Sequence, residues 1–313
     1  MDPLNYAARR IGQTLPVALL VTILIFLLIK LLPGDPATAI LGERASDAAV
    51  RALHQQWGLD RPLWQQYATY MRNLFTGNLG QSLRYRTPVV ELLPHRMTVT
   101  LFLVVYSMLL SVLIAVPLAI VAAGHRDRWP DQLVRGLITL PLASPAFWVG
   151  ILLLIVFALR LRWFPAAGYG EGVVGHLRHL FLPALTLSNL LTAVLTRNLR
   201  SSLIDVQRTT FVDFARAKGL ARRVVLFRHV LRAALLPIVT LIGVRLSYAI
   251  GGSVVIETVF ALPGLGSWMV DSIMARDYMV VQTLTLAFAM GVMLINLATD
   301  LVYPLLDPRV RMG

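Results

Sequence analysis

Long apolar runs separated by short charged turns dominate this chain, and six of them approach or exceed the roughly 20 residues that cross a bilayer. They fall near 10–32, 97–123, 133–159, 181–200, 234–256 and 280–302. The first follows Arg9 and Arg10 as a signal peptide would, but it is too long for a signal core and no small-residue cleavage site follows. It reads as a retained span. The fourth carries Thr186, Ser188, Asn189, Thr192 and Thr196, polar for a lipid-facing helix but ordinary for one buried among neighbours or lining a path. The pattern predicts an all-α polytopic membrane protein with six transmembrane helices. Its parts are an N-terminal tail and first span (1–32), an external helical segment (33–96) and a five-helix core (97–313).

The external segment reads as ordered. Ser46 caps a helix running to Trp57 and Gly58 stops it. Asp60 and Pro62 open a second, in which Leu63, Tyr67, Tyr70, Met71 and Leu74 recur at helical spacing before Gly77. Such a segment serves either as a cap that stabilises the bundle or as a docking surface or lid. Trp57, Trp64, Tyr67, Pro263 and Gly264 are the docking or lid candidates.

Composition agrees with a membrane protein: 57% hydrophobic and 14% charged, against about 25% charged in soluble domains. With no cysteine, neither a disulfide framework nor a thiolate metal site is available. The net charge of +13 is read as positive-inside loops with attraction to membrane lipid, not as nucleic-acid binding. Arg9 and Arg10, then Arg126, Arg128 and Arg135, then the stretch 197–232, and finally Arg309 and Arg311 share one side if there are six spans. Both termini are then cytoplasmic. Glu257, Asp271 and Asp277 against Arg276 suit the outer face, whereas Arg160, Arg162 and Arg178 against Glu171 argue weakly the other way.

Enzyme chemistry is thinly supplied. No phosphate-binding Gly-x-x-x-x-Gly-Lys-Ser/Thr occurs. Every histidine falls in a loop or at a span end, so a serine such as Ser253 has no base at membrane depth for proteolysis. Gly251, Gly252 and Ser253 instead allow close helix packing or a local unwinding. His176 and His179 stand three apart without an apparent third ligand, and no metal site is assigned. Arg245 lies mid-span, either in a structural ion or carbonyl contact or as a path contact for an anionic group. Asn296 and Asp300, at i and i+4, read as interfacial structure. An ion-coupled carrier would show more buried acids and inverted repeats, neither of which is evident.

The stretch between Arg197 and Arg232 stands apart. There Arg197, Arg200, Arg208, Arg216, Lys218, Arg222, Arg223, Arg228 and Arg232 are set against only Asp205 and Asp213. A basic, helix-forming loop held between two spans can offer helices to a soluble partner.

These features resemble the permease subunit of ATP-binding-cassette importers, in the branch that handles dipeptides, oligopeptides, nickel and glutathione. The similarity runs through Leu31-Leu32-Pro33-Gly34-Asp35-Pro36, Gly58-Leu59-Asp60-Arg61-Pro62-Leu63, Gly77-Asn78-Leu79-Gly80-Gln81-Ser82, Pro263-Gly264-Leu265-Gly266, Arg276-Asp277-Tyr278 and Leu306-Asp307-Pro308-Arg309. The order and spacing of these pieces, more than any one of them, make the resemblance specific.

The resemblance implies an ATPase-coupling loop (201–233). The family's Glu-Ala-Ala start falls on Asp213-Phe214-Ala215, its glycine on Gly219 and its Leu-Pro on Leu236-Pro237. Arg216, Ala217, Lys218 and Leu220 complete the coupling segment, and Arg222, Arg223 and Arg228 would meet an acidic rim. Phe214 replaces an alanine of the motif, and Phe211 and Met279 stand where tyrosine and proline are usual. The resemblance further implies a non-catalytic subunit of the bacterial inner membrane that binds no cofactor itself. A second, homologous permease, two cytoplasmic ATPases holding ATP and Mg, and a periplasmic or lipid-anchored solute-binding protein would accompany it. Small peptides are the expected cargo, ahead of nickel or glutathione. Arg245, Gly251, Gly252, Ser253 and Asn189 are the expected pore residues.

Overall fold

The computed structural model describes residues 3–31 and 46–306; the side chains of 3–8, 29–31, 53, 56, 57, 141, 240 and 302–306 lie outside the description. The described chain is all-helical. Its elements are α1 (Pro3–Leu31), α2 (Asp47–Trp57), α3 (Leu63–Phe75), α4 (Val89–Gly124), α5 (Trp129–Ala143) and α6 (Ala146–Leu153), which continues as a π-helical turn to Arg160. Then come α7 (Gly172–Gln207), α8 (Thr210–Ala217) and α9 (Arg222–Val224). A second π turn (Val225–Val230) joins α9 to α10 (Leu231–Val259), before α11 (Leu265–Met274) and α12 (Tyr278–Leu306).

Among the described residues five helices are long and apolar enough to cross a membrane: Arg9–Leu28, Val89–Gly124, Gly172–Gln207, Leu241–Val259 and Tyr278–Leu301. The third expected span, 133–159, is not one continuous helix, so six single-helix spans are not confirmed; its second half, Ala146–Arg160, is a shorter apolar helix. Ser144 and Pro145 are both extended, with ψ of 138° and 135°, and divide it into α5 and α6. Pro145 has no N–H for the helical ladder, and its ring excludes the helical conformation at Ser144.

Two apolar clusters define the ends of the bundle. At one end Ala115, Ala119 and Ala123 of α4 pack with Leu199 and Leu203 of α7, Val212 and Ala215 of α8, and Ala234 and Ile238 of α10. At the other, Val89 of α4 meets Leu265 and Trp268 of α11 and Val280 and Leu284 of α12. α12 therefore starts at the second end and finishes at the first, where Asp300 pairs with Arg10 of α1 at 3.3 Å. The start of α1 and the close of α12 thus share the end that carries α8.

From Ser46 onward, the described part of the segment before α4 folds as its sequence predicts. Ser46 caps α2 through its hydroxyl, which accepts from Ala49 N. Gly58, at φ +65°, ends α2 in the left-handed region. α3 packs against α1: the Tyr67 and Thr22 hydroxyls lie 2.8 Å apart, and Phe26 stacks near Tyr67 and Tyr70. Burial against this cluster pushes the Tyr70 phenol up to about 12.

Candidate functional site

α7 ends at Gln207, and extended Thr209 restarts the chain as the two-turn α8. Gly219 stops α8. At φ +77° it donates to Arg216 O while Leu220 N reaches back to Ala215 O, the paired bonds of a glycine C-cap that turns the chain sharply. The chain reverses at once into α9 and α10, so α8 and α9 form an elbow.

α8 has two unlike faces. Val212 and Ala215 are buried in the cluster shared with α4, α7 and α10. Phe211, Phe214, Leu220, Val224 and Phe227 are exposed, Phe214 at 71%. Asp213 and Arg216 pair at 3.6 Å on the open side. Arg216, Ala217, Lys218, Gly219, Arg222, Arg223 and Arg228 are exposed around the aromatics. Exposed aromatics ringed by cations form an apolar and basic patch of the kind found at protein–protein contacts.

The elbow is braced from behind. Asp131, wholly buried in the first turn of α5, receives both Nε and Nη2 of Arg200 on α7, with Nε at 2.6 Å, and the N–H of Asp127 at 3.0 Å. Arg200's hydrogen bond holds the Asp131 carboxyl below the usual carboxylate range. Ser202 Oγ donates to Ala234 O at 3.0 Å, tying α7 to α10. α8 is thereby packed into one body with α4, α7 and α10, to which the Asp131–Arg200 pair joins α5.

The expected pore residues scatter over α7 and α10. Asn189 is half-buried on α7 and Gly251 is exposed on α10. Gly252 packs close to Leu187 of α7, where an added Cβ would lie 3.3 Å from Cδ1. Ser253 is buried and donates to Ile250 O. Arg245 Nε is shielded from solvent without an acceptor, and its guanidinium lies 5.8 Å from the Tyr248 ring centre.

The docking or lid candidates at the opposite end also divide. Trp64 is exposed, whereas Tyr67 is committed to α1 through Thr22 and Phe26. Pro263 is half-buried and Gly264 is buried against Glu257, where any side chain would collide with the carboxylate. The side chain of Trp57 lies outside the described residues. His176 stacks on Tyr169 with ring centres 3.9 Å apart, and His179 Nδ1 faces its own helix at Gly175 O.

Two of the acids read as belonging to the external loop after the fifth span, Glu257 and Asp277, are buried. Glu257 lies in the last turn of α10. It accepts from Thr100 Oγ1 of α4 at 2.7 Å, Gly266 N at 2.7 Å and Ser267 N at 3.1 Å, the two amides belonging to the start of α11. Asp277, just before α12, accepts from Ser82 Oγ at 2.7 Å and Leu83 N at 2.8 Å. With Asp131, these are buried acids that the sequence reading did not supply. Each is saturated by fixed donors, as a structural clamp requires and a mobile proton site does not.

Comparison with known proteins decides the class. Residues 3–104 match the N-terminal family of binding-protein-dependent transport system membrane components, and residues 115–312 match the binding-protein-dependent transport system inner membrane component. The Glutathione transport system permease protein GsiC of Escherichia coli O6:H1 is 39% identical over 98% of this chain and 99% of its own length. The protein of that name in Salmonella paratyphi A matches equally. The chain belongs to the inner-membrane permease family of ATP-binding-cassette importers. The permease is also similar in fold to a chain of the MetNI methionine ABC transporter, with a TM-score of 0.59 at 16% identity, over 69% of this chain and 96% of that one. The second matched region of the permease contains the elbow, Arg245 and Glu257. The first contains Ser82 and Leu83, which donate to Asp277 of the second.

Proposed function

We propose that this permease forms half of a solute path with a second, related permease, and that two cytoplasmic ATPases drive it through the α8–α9 elbow. The observation that carries the reading is the exposed Phe214 knob on a helix whose other face is built into the bundle. ATP binding draws two ATPases together, and an elbow seated in each would move with them. The brace at Asp131 and Arg200 would then pass that motion into the membrane helices as a rigid-body shift.

The elbow end would be cytoplasmic. It gathers Arg10, Arg126, Arg128, Arg135 and the basic elbow, as expected on the positive side of a bacterial inner membrane. The described helix ends nearest both termini lie there too. A periplasmic or lipid-anchored binding protein would deliver solute to the opposite end, where Trp64 is exposed and Pro263 is within reach of the surface. The solute is a small peptide. The name carried by the relatives makes glutathione, with nickel, the alternative, and what the binding protein captures would decide among them. Nucleotide and Mg belong to the ATPases, and no bond chemistry is assigned to the permease.

Copurification tests the assembly. A tagged chain is expected to retain ATPase subunits. Gly219→Pro is expected to lose them or to abolish ATP-dependent uptake, because proline cannot adopt positive φ. Full retention and uptake in that variant would remove the elbow from the mechanism.

A further inference from the structure

Arg245 is a charged group within a membrane-spanning helix, and among the described residues it has no ion-pair partner. Its Nε is enclosed without an acceptor. The structural reading of such an arginine, an ion pair or carbonyl contact between packed helices, is therefore not what the side chain makes.

Its position is fixed by its neighbours on α10. Gly243 packs so tightly on Thr299 of α12 that a Cβ would collide with it, and Ser247 donates to Asn296 of α12 at 2.9 Å. That face belongs to α12. Gly252, by contrast, meets Leu187 of α7. Residue 245 precedes 252 by nearly two helical turns and so shares its azimuth, placing Arg245 on the α7 side. α7 and α10 run antiparallel, with Ser202 beside Ala234 and Leu187 beside Gly252. Arg245 is thus level with the turn around Thr192, whose buried Oγ1 also lacks a partner. Asn189 lies one turn away on the same helix, half-buried. On the open flank Tyr248 is 70% exposed, close to the exposed Gly251.

A guanidinium with spare donors, next to a polar stretch of α7 and opening beside an exposed tyrosine, does not suit hydrocarbon. It suits a water-filled passage crossed by an anion, because the arginine fork matches a carboxylate. We propose that Arg245, with Tyr248 at its side, is a contact in the membrane path for a carboxylate of the translocated solute. The inference rests on the permease reading and names the chemical group on the solute that the path itself recognises.

The absence of native cysteine makes the test direct. Tyr248→Cys places the chain's sole thiol beside the guanidinium. In the intact transporter complex in lipid nanodiscs, its reaction rates are measured with an anionic sulfonatoethyl and a cationic trimethylammonioethyl methanethiosulfonate. Labelling of this chain is read by mass. The thiol is expected to react with both reagents. Adding Arg245→Gln is expected to lower the anionic-to-cationic rate ratio by about tenfold, and Arg245→Lys to preserve most of it. Dialanine is expected to slow labelling while dialanine amide does not. No reaction with either reagent, which would put Tyr248 against lipid or a partner helix, overturns the proposal. So does a ratio that Arg245→Gln leaves unchanged, or protection indifferent to the free carboxylate. ATP-dependent uptake by the unsubstituted complex is measured alongside. Its failure removes the permease reading, whereas an unmoved ratio with uptake intact removes only the role of Arg245.

Discussion

Phe214 and Val212 sit two residues apart on α8 and face opposite ways, so truncating each separates docking from folding. Phe214 is 71% exposed, leaving about 140 Å² of a side chain of about 200 Å² available to a partner. At about 25 cal/mol per Å², seating it in a cleft contributes about 3 kcal/mol before ordering costs. A net loss of about 2 kcal/mol, roughly 30-fold in affinity, is therefore expected for Phe214→Ala. The assay is the concentration of detergent-solubilised ATPase needed to half-saturate the permease, read by fluorescence of a labelled ATPase. Thermal unfolding of the permease alone should change little, because most of the ring is exposed. Val212→Ala should behave oppositely, lowering stability by about 1 kcal/mol through a cavity in the cluster it shares with Leu199 and Leu203. Equal affinity of Phe214→Ala and the unsubstituted permease, or matching stability losses in both variants, would refute the two-faced reading of α8.

Three further outcomes follow from the clamps and turns. Gly219→Ala should cost about 1 kcal/mol from its φ of +77° alone, since nothing lies within 4 Å of the added Cβ, and Gly219→Asn should recover part of it in the same unfolding assay. Asp131→Asn should destabilise by about 3 kcal/mol by leaving the largely buried Arg200 without its counter-charge. Because the folded Asp131 carboxyl titrates below its unfolded value, its stabilisation is complete above the ordinary aspartate range. It is lost as pH falls through the lowered native value, so the difference between Asp131→Asn and the parent should be flat from pH 8 to about 5 and shrink only in stronger acid. Gly264→Ala should cost about 2 kcal/mol by driving a methyl into the Glu257 carboxylate, measured as a fall in melting temperature with the elbow's ATPase affinity unchanged.

Much of this was legible in the sequence where the signal is local. Ser46 and Gly58 bracket α2 because a cap acts within four residues. Gly219 marks the elbow for the same reason. The split third span was missed because its apolar content continues through Ser144 and Pro145, and hydropathy does not register a lost N–H. Glu257 and Asp277 read in sequence as acids of an external loop, and part of what buries them is remote: Thr100 is 157 positions from Glu257, and Ser82 is 195 from Asp277. The Gly266 and Ser267 amides, nine and ten residues beyond Glu257, are local. The motifs around 77–82 and 276–278 were visible separately; only the fold shows that one holds the other. Asp131 stands in sequence among Arg126, Arg128 and Arg135, but its partner is Arg200 of α7, 69 positions away.

The most direct test is uptake of a radiolabelled dipeptide into proteoliposomes holding the permease pair, the ATPases and the binding protein. Accumulation is expected only with ATP inside the compartment that the elbow faces. An imposed proton or sodium gradient should not replace ATP. Accumulation driven by such a gradient in vesicles lacking the ATPases would contradict a conduit powered through its elbow.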